Sequence, residues 1–132
     1  MRRITVEEVT QAYRETGLTP AIGTFGMVSS RCGCAITALL LYENQERGVS
    51  LEEIISSLEK GTTFGEIAES IRHLLGDLDK FYLLGFVNGF DGLPMVCSEM
   101  FSSEDDPSQA FRHFQIGYED GVQVREAIFV SL

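Results

Sequence analysis

The chain has 132 residues, the size of one domain, and 44% of them are apolar against 23% charged. Twenty acids face ten bases, a formal net charge of −10. That balance argues against a nucleic-acid backbone or an anionic membrane surface as partner, because both reward clustered Lys and Arg.

No stretch is long enough for a membrane-spanning helix, which needs about 20 apolar residues in succession. The uncharged run from Thr16 to Ser30 contains Gly17, Pro20, Gly23 and Gly26, and Arg31 separates it from the apolar run Cys32 to Tyr42. Arg2 and Arg3 are followed by Glu7 and Glu8 where the apolar part of a signal peptide would lie. Cys32, Cys34 and Cys97 make an odd set with no secreted disulfide pattern. The expectation is one cytoplasmic domain over residues 1–132.

In chain order, Thr5-Val6-Glu7-Glu8 opens a first helix as a capping box, with Val6, Val9 and Tyr13 on one face and Gly17 as its stop. Residues 18–30 have no period and read as an ordered loop. From about Arg31 to Arg47 the sequence is apolar on every side, which predicts a central helix surrounded by the rest of the chain. Ser50-Leu51-Glu52-Glu53 and Thr63-Phe64-Gly65-Glu66 are two further capping boxes, stopped at Gly61 and near Gly76. Asp77 is the expected cap of a helix carrying Leu78, Phe81, Tyr82, Gly85, Phe86 and Gly89. Residues 91–106 form a long acidic irregular segment. Asp106-Pro107 starts the last helix, since Asp suits the cap and proline the first turn.

The predicted class is therefore all-α, about six helices around a central apolar one. The alternative is α+β with two C-terminal hairpins, because Asn88-Gly89 and Asp120-Gly121 are turn dipeptides beside β-prone runs. Helices are preferred because Arg125, Glu126 and Ala127 break two-residue alternation and the three- and four-residue spacing continues through both segments.

Gly85-Phe86-Val87-Asn88-Gly89 and Gly117-Tyr118-Glu119-Asp120-Gly121 repeat one pattern. In helices each glycine pair shares a face, and each glycine costs about 1 kcal/mol against alanine. Close backbone approach would offset that cost, within the chain or across a dimer axis, with Ser30, Cys34 and Ala38 as a third small-residue face. Room for a ligand is the other explanation. These segments, with Tyr13 to Pro20 and Cys32-Gly33-Cys34-Ala35, together resemble small uncharacterised bacterial proteins. That resemblance implies a bacterial cytosolic setting and no particular activity.

The side chains with chemistry to offer are few. Cys32, Cys34, Cys97, His73 and His113 supply enough thiolate and imidazole for a zinc site if they converge, though buried cysteine as a small hydrophobe is the commoner case. A redox role for Cys32 and Cys34 meets the objection that the two-residue spacer is missing. Gly23 to Arg31 opens into the central helix, and Ser29, Ser30 and Arg31 are candidate anion donors there, without the lysine of a phosphate loop. His73 and His113 read as solvated or packed helix positions. No nucleophile elbow is present and no catalytic set is evident. The expectation is a non-enzymatic interaction or regulatory module that self-associates, as a dimer, with no cofactor. The alternative is a small-molecule or metal-binding protein, possibly an enzyme, that uses the Gly23–Cys34 loop.

Overall fold

The computed structural model describes residues 1–76 and 78–130. Among the described residues there are six α-helices: α1 (Val6–Thr16), α2 (Ala35–Glu43), α3 (Leu51–Glu59), α4 (Phe64–Leu75), α5 (Lys80–Asp91) and α6 (Pro107–Val130). Between α1 and α2 lie three two-residue strands, β1 (Thr19–Pro20), β2 (Gly26–Met27) and β3 (Cys32–Gly33). They form a small mixed sheet in the order β1-β3-β2, with β1 parallel and β2 antiparallel to β3. The fold is thus mostly helical with a minor sheet, a correction to the purely helical expectation. Residues 18–30 carry no two-residue period that would reveal such short strands; tertiary pairing makes them.

Local signals place most helix ends. Thr5, Ser50 and Thr63 each accept the backbone N–H three residues on, from Glu8, Glu53 and Glu66. The second limb of each box differs from expectation: Glu8 and Glu53 accept from the Thr5 and Ser50 hydroxyls, and Glu66 from the N–H and hydroxyl of Thr62. Gly17 and Gly48 take left-handed conformations that end α1 and the 3₁₀ turn after α2. Asp79 caps α5, accepting from Phe81 N and Tyr82 N. Asp77 lies outside the described residues. Asp106 accepts from Gln109 N, with Pro107 opening α6 as expected.

The central helix is shorter than the sequence suggests. It begins at Ala35 and not near Arg31, because Cys32-Gly33 is drawn into the sheet and Cys34 becomes the cap residue. Ala35 through Leu41 are all buried, which satisfies an apolar surface on every side. Asn44 closes its end: Nδ2 donates to Leu40 O and, across to α4, to Leu74 O.

Helices α5 and α6 are continuous through Asn88-Gly89 and Asp120-Gly121, so the hairpin alternative fails. They run parallel, since Gly117 faces Tyr82 and Phe86 while Gly121 faces Phe86 and Phe90. A Cβ on Gly85 would run into the Phe114 carbonyl oxygen and stand 2.8 Å from Tyr118 N. One on Gly117 would strike the Tyr82 carbonyl oxygen and stand 3.0 Å from Phe86 N. Gly89 and Gly121 meet the carbonyls of Tyr118 and Phe86 in the same way. The four notches therefore interlock main chain to main chain within one chain. Each α-hydrogen in the Cβ position points at a carbonyl oxygen, the arrangement of a Cα–H···O contact. The third small-residue face does not form, because Ser30 sits on a hairpin tip and Cys34 lies outside α2.

A parallel pair requires a connection that returns to its starting end. Residues 92–106 make that return, anchored midway by buried Phe101, whose ring lies 5.9 Å from Phe81, 5.7 Å from Phe111 and 5.5 Å from Phe114. Tyr118 donates its hydroxyl to Leu93 O, 2.5 Å away, and holds the outgoing part of this loop. None of the helices among the described residues is long and apolar enough to cross a membrane.

Candidate functional site

The side chains that could make a zinc site only by coming together do not converge. Among the described residues, no three His, Cys, Asp or Glu side chains are placed to hold one ion. Cys32 and Cys34 are buried on β3 and at the start of α2, while Cys97 is exposed on the far connection. His73 is exposed on α4. His113 Nδ1 lies 3.1 Å from Asp79 Oδ2, so it ties the first turns of α6 to the cap of α5.

Ser29, Ser30 and Arg31 are also displaced from their expected role. They form the tip of the β2–β3 hairpin, away from the first turn of α2. Arg31 adopts a positive φ of 46° and closes a turn with its N–H to Val28 O. Its guanidinium donates to Thr16 O at 2.8 Å, a cation at the negative end of α1. Ser30 donates to Cys32 Sγ at 3.3 Å. These groups serve the hairpin and the end of α1.

The loop before them builds something else. A cleft of about 220 Å³ opens between Gly23-Thr24-Phe25, the start of α2, the end of α3 and the C-terminal half of α5. Its floor is apolar and buried, with Ala35, Ile36, Phe86 and Phe90 each no more than 2% exposed. Half-buried Phe25 and Val87 form the walls, and Glu59 and Asp91 stand at the mouth. The rings of Phe86 and Phe90 lie nearly parallel, 6.3 Å apart, as one aromatic surface.

Several hydrogen bonds shape the rim. Asp91 Oδ1 accepts from Gly23 N at 3.0 Å and fastens the loop to α5. The Phe25 carbonyl accepts from Thr37 Oγ1 at 2.6 Å and from Cys34 N at 3.3 Å, so it covers the positive end of α2. Tyr13 donates to Gly33 O at 2.8 Å and fixes β3 against α1. Gly33 itself leaves no room for a side chain, since a Cβ would stand 2.9 Å from both Leu18 Cδ2 and Thr37 Cγ2. Cys34 Sγ lies 3.5 Å from Thr37 Oγ1, and burial pushes its thiol above the usual range despite that contact. A thiol held protonated is a weak nucleophile.

The other buried polar cluster was not anticipated. Arg3 grips the Asp120 carboxylate through two bonds, Nε to Oδ2 at 2.9 Å and Nη2 to Oδ1 at 2.7 Å. Tyr82 donates to Asp120 Oδ2 at 2.6 Å and accepts from Ile4 N at 2.6 Å. Burial opposes ionisation of Asp120 most strongly, but the bonds from Arg3 and Tyr82 outweigh it and hold the carboxyl below its ordinary range. Burial and the same bond raise the Tyr82 phenol. This cluster staples the segment before α1 onto α5 and α6.

No family model, curated protein or solved structure matches the chain. The cleft's own geometry therefore carries the functional argument. Of its members, Gly23 and Cys34 bounded the loop named from the sequence; Glu59 and Asp91 were missed. One signal could have found them. Each is the last residue of its helix, where an acid opposes the helix dipole and a base is the ordinary choice.

Proposed function

We propose that the protein is a non-enzymatic binding domain that takes a small, largely apolar molecule in the cleft beneath the Gly23–Phe25 loop. The observation that carries this reading is a buried aromatic floor with an open, polar mouth. An apolar hollow with a few fixed polar groups is the usual form of a ligand site. At about 220 Å³ it suits a ligand smaller than a drug-sized one, for which such sites span roughly 300–1,000 Å³. Binding is favoured over turnover because the lining includes no imidazole and its nucleophile, Cys34, is kept as the thiol.

Thermal unfolding against a panel of small aromatic and aliphatic metabolites tests the reading. A ligand at 100 times its Kd adds about 2.7 kcal/mol. In a domain of this size that raises the Tm by roughly 10 °C. The variant Val87→Phe, which fills the cleft from its half-buried wall, folds and loses the shift. A full shift in folded Val87→Phe, or none with any compound, overturns the proposal.

Self-association is a separate proposal. The glycine notches no longer motivate it, since α5 and α6 fill one another's. It rests instead on the exposed apolar side chains Met27, Val28, Leu93, Met95 and Met100. Light scattering at micromolar concentration gives a dimer mass under this proposal, and a strict monomer removes it.

A further inference from the structure

We infer that the ligand of the cleft is a small organic cation, an ammonium group on a compact aromatic or aliphatic body. The inference rests on the cleft reading above and adds the chemistry of its mouth. Both polar side chains with charge at the cleft are acids, Glu59 and Asp91, and no Lys, Arg or His lines it. Neither acid has a salt-bridge partner among the described residues. Each ends a helix, α3 or α5, and neither helix carries a base in its last turn. The negative ends of two helices and two carboxylates thus act at one opening, an arrangement that costs the free protein stability and rewards a bound cation.

Two bases stand close by but outside the lining: Lys60 follows Glu59, and the Arg125 guanidinium packs against Gly92, next to Asp91. The positive end of α2 reaches the floor of the cleft, but the Phe25 carbonyl lies across it and takes the Cys34 N–H and the Thr37 hydroxyl. Phe25, Phe86 and Phe90 put three aromatic rings in the lining, and such rings attract a cation as well as an apolar body. Asp91 uses Oδ1 on Gly23 N, and Oδ2 stays available to an ammonium donor without release of the loop.

Three probes of nearly one shape decide the matter: 2-phenylethylammonium, 2-phenylethanol and 3-phenylpropionate, each titrated calorimetrically into the native protein. The ammonium compound binds about tenfold more tightly than the alcohol, the factor expected when a charged hydrogen bond replaces a neutral one. The carboxylate binds most weakly, and added salt weakens the ammonium compound alone. Glu59→Gln, at an exposed position, costs the ammonium compound about threefold and leaves the alcohol unchanged. Asp91→Asn keeps an acceptor for Gly23 N and costs the ammonium compound more. If the alcohol or the carboxylate binds as tightly as the ammonium compound, and folded Val87→Phe abolishes that binding, the cationic inference falls and the cleft reading stands. If none of the three binds, the cationic inference falls, and the metabolite panel decides the cleft reading separately.

Discussion

Gly85→Ala and Gly117→Ala each destabilise the protein by about 3 kcal/mol, although alanine is the better helix former. The intrinsic preference favours alanine by about 1 kcal/mol in a helix interior. Against it, the added methyl meets the main chain of the partner helix, at the Phe114 carbonyl for Gly85 and the Tyr82 carbonyl for Gly117. Backbone in a helix cannot turn aside as a flexible side chain can, so α5 and α6 must separate along their shared length. Overpacking of this kind costs about 1–3 kcal/mol where side chains yield, and these contacts sit at or beyond the upper end.

Gly65→Ala in α4 is the internal control. There the nearest atom to an added Cβ is Thr63 Oγ1 at 3.7 Å, ordinary contact, so the same exchange stabilises by about 0.5 kcal/mol. Urea unfolding of the three variants measures the contrast. Equal effects at positions 65, 85 and 117 would show that α5 and α6 do not touch through their backbones.

Asp120→Ala lowers stability at pH 7 by about 3 kcal/mol, the low end for breaking a buried ion pair, because half-exposed Arg3 regains water. Tyr82 is fully buried and its hydroxyl then loses its acceptor. Asp120→Asn keeps the volume and an acceptor for Tyr82 but removes the charge, and costs about 1–2 kcal/mol. The two losses differ in pH dependence from an ordinary packing defect. The native carboxyl sits below its unfolded value of about 3.9, so its contribution is complete above that pH and disappears as pH falls through the native value. The gap between the parent protein and Asp120→Asn is therefore widest at neutral pH and closes in acid. Chemical unfolding at pH 7, 5 and 3 follows it; a gap that stays constant over that range would sink the assignment of Asp120 as an ionised anchor.

The candidate site was harder to read than the fold that holds it. Cys32, Cys34, Cys97, His73 and His113 attracted attention because their chemistry is rare, yet their spacing carries no information about distance in space. The members that matter at the cleft are common residues in uncommon places. Glu59 and Asp91 look like surface acids until the helix ends are known, and Phe86 and Phe90, which are buried core residues, also line the cleft beneath the Gly23–Phe25 loop. Arg3 and Asp120 lie at opposite ends of the chain, and no local pattern links them.

Local chemistry was enough to determine the helices and most of their ends, because a cap, a proline or a left-handed glycine acts within four residues of itself. The glycine pattern went further. The cost of four helical glycines pointed to close backbone contact, with room for a ligand as the other explanation, and it is the contact that the structure shows. Tertiary structure alone decided that this meeting is parallel and within one chain, that Cys32-Gly33 leaves the central helix for a sheet, and that two helix ends converge on one apolar hollow. Those outcomes depend on which distant segments lie side by side, a choice made by the whole core competing for burial.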